Sequence, residues 1–344
     1  MTKPLHPADV LYRGVKPLPA LAACEHYAGN EKLIRKALQL QLELGPIFDI
    51  TADCEDGAPA GREKEHAEMV AALISEAVRG VAGTASKLRA SHIGARIHDI
   101  THPHWRDDLD IIIGAAGNEV AYIVIPKPES FDDAATQIAV LDEVRKQHDI
   151  EREIPVHVLI ETHGALRQAW QIAAMPQVES LDFGLMDFVS AHHGAIPASA
   201  MKSPGQFDHP LIARAKCEIA AAALGNGIIA AHNVTTEIHD VAVVRNDALR
   251  ARSEFGFLRM WSIHPNQILP IVEAMRPSFD DIHHAGEILA AAQDASWGPI
   301  KHEGKLHDRA SYRFYWELLQ RAQATGMTLE ADTQSRFFSL NHSI

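Results

Sequence analysis

Residues 156–164 read "VHVLIETHG", a β-rich apolar run that ends on an acid, a threonine and a turn. A carboxylate at the mouth of a buried strand is costly unless a proton, a donor or a cation meets it. Glu161 therefore demands a partner. The same problem recurs at 181–188, "LDFGLMDF", where an apolar run leads to Asp187. Working outward, the same unit repeats along the chain: a short β-rich run, a loop, then a stretch with apolar residues at helical spacing. Candidate strands are 18–23 (LPALAA), 48–53 (FDITAD), 94–98 (GARIH), 121–126 (AYIVIP), 155–160 (PVHVLI), 179–184 (ESLDFG), 227–231 (GIIAA) and 258–263 (LRMWSI). Helical patterns such as "NEKLIRKALQLQLEL" and "DDAATQIAVLDEVRKQ" lie between them, with Asn30 and Asp132 as capping residues.

Strands alternating with helices over roughly 250 residues give the α/β class and a (β/α)8 TIM barrel. A doubly wound open sheet would want Gly-x-Gly-x-x-Gly after the first strand, and none is there. The barrel is expected over 1–276, with a C-terminal helical extension at 277–344 packing on the barrel or on a neighbouring subunit. In that extension 276–295 and 311–326 read as helices, 296–310 as a Gly-containing loop, and 335–344 as a poorly ordered tail.

A barrel of this kind builds its site at the C-terminal ends of its strands. The polar residues fall there. Strand two delivers Asp53, Glu55 and Asp56, strand three Arg96, and strand four Lys127. Strand five ends in Glu161, strand six leads to Asp187, strand seven to His232 and Asn233, and strand eight to His264. Glu161 and Asp187 suit a divalent metal, since Mg²⁺ takes oxygen ligands and is commonly held by one or two carboxylates plus water and substrate. The competing reading makes each acid a helix cap. Arg96 suits a carboxylate or oxyanion, which its guanidinium grips with two parallel hydrogen bonds.

The totals narrow the field further. Among 344 residues, 47% are hydrophobic and the formal net charge is −13, which argues against a nucleic-acid or anionic-membrane surface. Three cysteines without Cys-x-x-Cys spacing imply no disulfide framework. No apolar stretch approaches a membrane span and the first residues lack a signal core, so a cytoplasmic protein is expected. The 21 histidines form no compact His/Cys motif, and a zinc site is not expected.

The ordered motifs "DITADCEDGAP", "GARIHD", "IVIPKPES", "VLIETHGAL", "LDFGLMDF" and "SIHPNQI" resemble the citrate lyase β-subunit-like branch of the HpcH/HpaI aldolase family, which includes malyl-CoA and citramalyl-CoA lyases. The resemblance spans about residues 18–310, and Glu161 and Asp187 have the family's metal-acid spacing. It implies a carbon–carbon lyase, homotrimeric or homohexameric, that uses Mg²⁺ (or Mn²⁺) and splits a 3-hydroxyacyl-CoA thioester into a 2-oxo acid and an acyl-CoA. On the matching motifs Glu161 and Asp187 would hold the metal, and Arg96 would bind the oxo acid and its developing oxyanion. Gly184, Leu185 and Met186 would contact substrate. Glu55, among the catalytic residues, would order water or metal ligands, with Asp53, Asp56, Lys127 and His264 supporting the site. Asp308, in "EGKLHDRA", would be the general acid–base, acting in a neighbouring subunit. Two departures stand out: Arg259–Met260 replaces the family's Gly-Lys, and His98 replaces its Asn. A free-acid aldolase releasing a keto acid such as pyruvate, and a non-catalytic barrel that binds CoA esters or keto acids, are the alternatives.

Overall fold

In the structure, a computed structural model, residues 5–12, 17–82 and 92–338 are described. The chain divides into two compact units, 21–275 and a second formed by the first 20 residues with 276–344. Eight parallel strands close the first unit into a barrel in sequence order, and β1 pairs with β8 to seal it. They are β1 Cys24–Ala28, β2 Phe48–Asp53, β3 Ile93–Arg96, β4 Ile123–Ile125, β5 Val156–Ile160, β6 Val178–Phe183, β7 Ile229–His232 and β8 Arg259–Ser262. Helices follow the strands, among them Glu31–Leu44, Glu63–Ala82, Phe131–Gln147 and Pro210–Gly225. The fold class read from the alternation of strands and helices is the one observed.

Side chains alternate across each strand. Phe48, Ile50 and Ala52 of β2, and Val156, Val158 and Ile160 of β5, join the apolar core with the helices. The intervening positions fill the barrel, where a middle layer holds Tyr27, Val124, Leu159 and Trp261. Closer to the N-terminal ends of the strands the barrel is polar. Arg259, wholly buried, reaches Glu25 at 3.0 Å and Asp49 at 2.9 Å. Thr51 donates to Glu25 at 2.6 Å, His157 lies 3.1 Å from Glu179 and 3.8 Å from both Glu25 and Asp182, and Ser180 donates to Asp182.

This plug explains the first misread element. The strand expected at 18–23 lies instead at 24–28, "CEHYA", because Glu25 faces inward to Arg259 and breaks the apolar pattern on which the reading relied. It also explains the Arg259 departure: the side chain is built into the barrel interior.

Charge balance in the plug follows from its burial. Burial opposes ionisation of Glu25 and Asp49, yet Arg259, with His157, holds both carboxyls below their usual range. Burial and the Glu25 charge push Asp182 upward. For His157 burial favours the neutral ring, but Glu179 and Glu25 outweigh it and raise the imidazole to about 9. A raised histidine contributes stability that is complete below its unfolded value of 6.5 and is lost as pH rises through about 9. Asp182 acts with the same sign, whereas Glu25 and Asp49 lose their contribution only as pH falls through the acidic range. Urea unfolding should therefore show stability declining from pH 6 to 9.5. The His157 share is about 3 kcal/mol, and His157→Gln should flatten the decline. Parallel curves for the two proteins would refute this.

The second unit comprises helices Pro7–Leu11, Phe279–Asp294, Arg309–Ala324 and Ala331–Phe337, with an antiparallel hairpin, β9 Ile300–His302 and β10 Lys305–His307. Its core gathers Tyr12, Ile282, Leu289, Trp297, Tyr312, Trp316, Leu319 and Phe337. Two expectations are corrected here. The loop expected at 296–310 contains the hairpin, whose turn residues Glu303 and Gly304 both have positive φ (46° and 80°), the pattern that joins two short strands tightly. The expected tail is helical through Phe337, and 339–344 lie outside the described residues. Among the described residues no helix is long and apolar enough to cross a membrane.

Candidate active site

The C-terminal ends of β2 to β6 bring seven of the expected residues together. Arg96, on β3, is registered beside Asp53 on β2 and closes on it with two hydrogen bonds, Nε to Oδ1 at 2.7 Å and Nη2 to Oδ2 at 2.6 Å. Its remaining nitrogen, Nη1, lies 2.9 Å from Glu55 Oε2. The guanidinium stands 5.3 Å from the Tyr27 ring. Asp53 also accepts from the backbone N–H groups of Glu55 and Gly57 at 3.0 and 2.8 Å. Burial works against its charge, but Arg96 and these amides hold Asp53 below the usual carboxylate range. Asp53 is thus an anchor for Arg96 and for the "DCED" turn. Three contacts leave two of the five guanidinium N–H groups for a ligand.

Lys127, just past β4, has φ +49°, a backbone conformation uncommon outside glycine. That twist has two results. The backbone N–H of Lys127 donates to Glu161 Oε1 at 2.8 Å, and the ammonium bonds Glu55 and Asp56 (2.8 Å to Asp56) while standing 3.8 Å from Asp187 Oδ1. Burial opposes the ammonium charge, but Asp56 and Glu55 outweigh it and raise its pKa.

Glu161 is 2% exposed, and burial, with the charges of Asp187 and Glu55, pushes its carboxyl up to about 8 despite Arg96. Neither acid is a helix cap. Thr162 caps the helix after β5 by accepting from Ala165 N, and the helix Leu185–Ser190 after β6 starts at Gly184 without a side-chain cap. That settles the capping alternative. Gly184 packs against Glu161 so closely that a Cβ there would lie 2.0 Å from Glu161 Oε2. Leu185 is buried, while Met186 and Asp187 are partly open, the Asp187 side chain 42% exposed. A buried carboxylate taking one backbone hydrogen bond and raised by two neighbouring acids, one of them the half-open Asp187, fits a hard divalent cation.

The remaining candidates lie elsewhere. His264 follows β8 with Nδ1 accepting from Asn266 N at 3.2 Å, a local turn contact. His232 and Asn233 point into the helix layer, where the fully buried Lys216 meets His232 Nε2 at 2.6 Å and Asn233 donates to Gln206 at 2.8 Å. His98 Nδ1 donates to Asp108 Oδ2 at 2.6 Å, which also accepts the His98 backbone N–H, and the ring stacks on His102 at 3.9 Å. In the second unit Asp308 is exposed and caps helix Arg309–Ala324, its Oδ1 accepting from Ala310 N at 2.9 Å. Sequence reasoning missed Tyr27 and the backbone amide of Lys127. The first was hidden in a strand placed too early, and the second carries no side-chain signal.

Comparison with known proteins agrees with the fold. A crystal structure of a citrate lyase from Burkholderia xenovorans LB400 is 53% identical, covers 97% of this chain and 100% of its own, and superposes with a TM-score of 0.82. L-malyl-CoA/beta-methylmalyl-CoA lyase of Cereibacter sphaeroides is 25% identical over 303 residues, 84% of this chain and 92% of its own length. The CitE protein of Mycobacterium tuberculosis, crystallised with magnesium, acetoacetate and coenzyme A, shares the fold (TM-score 0.64, 21% identity, 88% of this chain and 99% of its own). The HpcH/HpaI aldolase/citrate lyase model matches residues 49–265, from β2 through the start of the helix after β8, and the chain belongs to that family.

Proposed function

We propose that the protein is a Mg²⁺-dependent carbon–carbon lyase that cleaves a 3-hydroxyacyl-CoA of the malyl-CoA type into a 2-oxo acid and an acyl-CoA. The observation that carries the reading is the convergence of Glu161, Asp187, Glu55, Lys127 and Arg96 on one rim of the barrel. The names of the family relatives, malyl-CoA and citramalyl-CoA lyases, support the substrate class. Glu161 and Asp187 would hold the metal, which when bound acts as a Lewis acid toward the oxo-acid oxygens. Arg96, fixed by Asp53, directs its two remaining N–H groups at the oxygen on which charge changes as the bond breaks. Lys127 bonds Glu55 and Asp56 beside the metal acids, where they orient water. Leu185 and Met186 flank the oxo acid.

In cleavage the hydroxyl gives its proton to a water ordered by Glu55 and becomes the carbonyl of the oxo acid. The carbon–carbon electron pair passes to the thioester α-carbon, which takes up a proton. Asp308, supplied by a neighbouring copy in a trimer or hexamer, exchanges that proton. Asn caps a helix as well as Asp, so Asp308→Asn separates the two roles of this carboxyl. Thioester cleavage should fall about a hundredfold with KM and unfolding midpoint little changed. Mixing Asp308→Asn with Glu161→Gln chains should restore part of the activity if the site is shared. The assay compares malyl-CoA-type thioesters with the matching free acids, with and without Mg²⁺. Turnover of free acids alone, with Asp308→Asn fully active, would establish the free-acid aldolase instead. Tight binding without product would establish a non-catalytic barrel.

A further inference from the structure

Away from the barrel site, the second unit carries a cluster that the lyase chemistry does not use. We propose that His284, His302 and Glu303, with His307 beside them, form a binding site for a first-row divalent transition metal of the zinc class. One donor atom from each of His284, His302 and Glu303 lies within 4.8 Å of the others. His284 sits on helix Phe279–Asp294, and His302 ends β9. Glu303 opens the tight turn, and His307 ends β10. In the hairpin register Lys305 opposes His302 and Ile300 opposes His307, so the two histidines share one face of the ribbon. Helix and hairpin thus aim imidazoles at one point: ring centroids are 5.2 Å apart for His284 and His302, and 6.4 Å from each of these to His307.

The second observation is the state of the ring nitrogens. His307 is 6% exposed, and among the described residues its Nε2 is enclosed without a hydrogen-bond partner. His302 Nε2 is enclosed too, 3.4 Å from Glu287 Oε2 without the alignment of a hydrogen bond. His284 Nδ1 stands 4.0 Å from Glu303 Oε2, beyond hydrogen-bond reach. Buried polar nitrogens normally find partners; the enclosed nitrogens of His302 and His307, beside the part-open His284, are the arrangement a metal completes. Tyr315 closes the far side, edge-on to His284 at 5.8 Å and to His307 at 5.6 Å.

Donor type selects the ion. Imidazole nitrogen with one carboxylate suits Zn²⁺, Co²⁺ or Ni²⁺, and does not suit Mg²⁺ or Ca²⁺, which need oxygen ligands. Tetrahedral coordination requires the donors to draw in by about 1 Å, which rotation of the exposed Glu303 side chain and the histidine rings can supply. Zinc-site motifs are compact along the chain, whereas these ligands are split between a helix and a hairpin. The sequence therefore showed no such site.

The test uses untagged full-length protein in excess Mg²⁺, which occupies oxygen-ligand sites. Titration with Co²⁺ should give one saturable visible band per chain, of the intensity of four-coordinate nitrogen–oxygen ligation. Equimolar Zn²⁺ should abolish the band and raise the unfolding midpoint. His284→Ala with His302→Gln should eliminate the band. Glu303→Gln, at an exposed turn position that leaves folding intact, should weaken Co²⁺ at least tenfold. No band in the wild-type protein overturns the proposal. So does an undiminished band in either variant, which would place the metal elsewhere.

Discussion

Glu161→Gln is expected to lower Mg²⁺-dependent turnover by a hundredfold or more, with the fold retained. The change removes one negative charge from the metal pair while keeping the shape and the acceptor for the Lys127 N–H. Without metal the carboxyl is raised to about 8, so the folded protein favours its protonated form. Such a group contributes stability that is complete below the unfolded value and lost as pH rises through about 8. Gln copies the protonated form, so at pH 9 the metal-free variant should unfold at higher urea than the parent. Binding of Mg²⁺ must expel that proton, and apparent affinity in the parent should weaken about tenfold per pH unit below 8. Gly184→Ala tests the same carboxylate from outside: its new Cβ would fall 2.0 Å from Oε2 and must displace it. Turnover should fall with the Mg²⁺ affinity. Full activity in either variant, or pH-independent Mg²⁺ binding, would remove the metal site from the account.

Arg96→Met should be the most damaging change to stability and activity together. It leaves Asp53 buried with no guanidinium, and Glu55 with only Lys127 and the Asp56 backbone N–H among its described partners. Breaking a buried ion pair from one side costs about 3–5 kcal/mol, and loss of an oxyanion donor costs about a hundred- to a thousandfold in turnover. Lys at 96 cannot form the two-pronged bond, so Arg96→Lys should recover little. The double variant Arg96→Met with Asp53→Asn should regain much of the stability but none of the turnover. Recovery of both would make Arg96 a structural residue only.

Most of the barrel was legible because strands buried against helices carry β-rich runs at even spacing, and those at 48–53 and 155–160 match β2 and β5 within a residue. The first strand was not, because Glu25 is satisfied by a residue more than two hundred positions later, which no local pattern reports. Caps show the same limit. Asn30 does accept from Leu33 N, but the helix expected to start at Asp132 is capped by Ser130 through Asp133 N. Ser and Asp are near equals as caps, and tertiary packing fixes the frame. At the site, strand ends announced Glu161, Arg96 and Lys127. What each does depends on partners: Asp53 holds Arg96, and an unusual backbone turn at Lys127 delivers an amide to Glu161. His264 shows the converse, since a strand-end position alone did not join it to the acids.

The Arg259 contacts bear on how the ring of strands finds its closure. Arg259 opens the last strand, and its two acids stand on the first and second, so the three ions stitch the seam where the chain's late segment must dock onto its beginning. Sliding β8 by one position would turn Met260 inward and drive a guanidinium among the aliphatic side chains of the outer layer, a misfit costing several kcal/mol. The triad therefore acts as a key that admits one alignment of the final strand and rejects its neighbours.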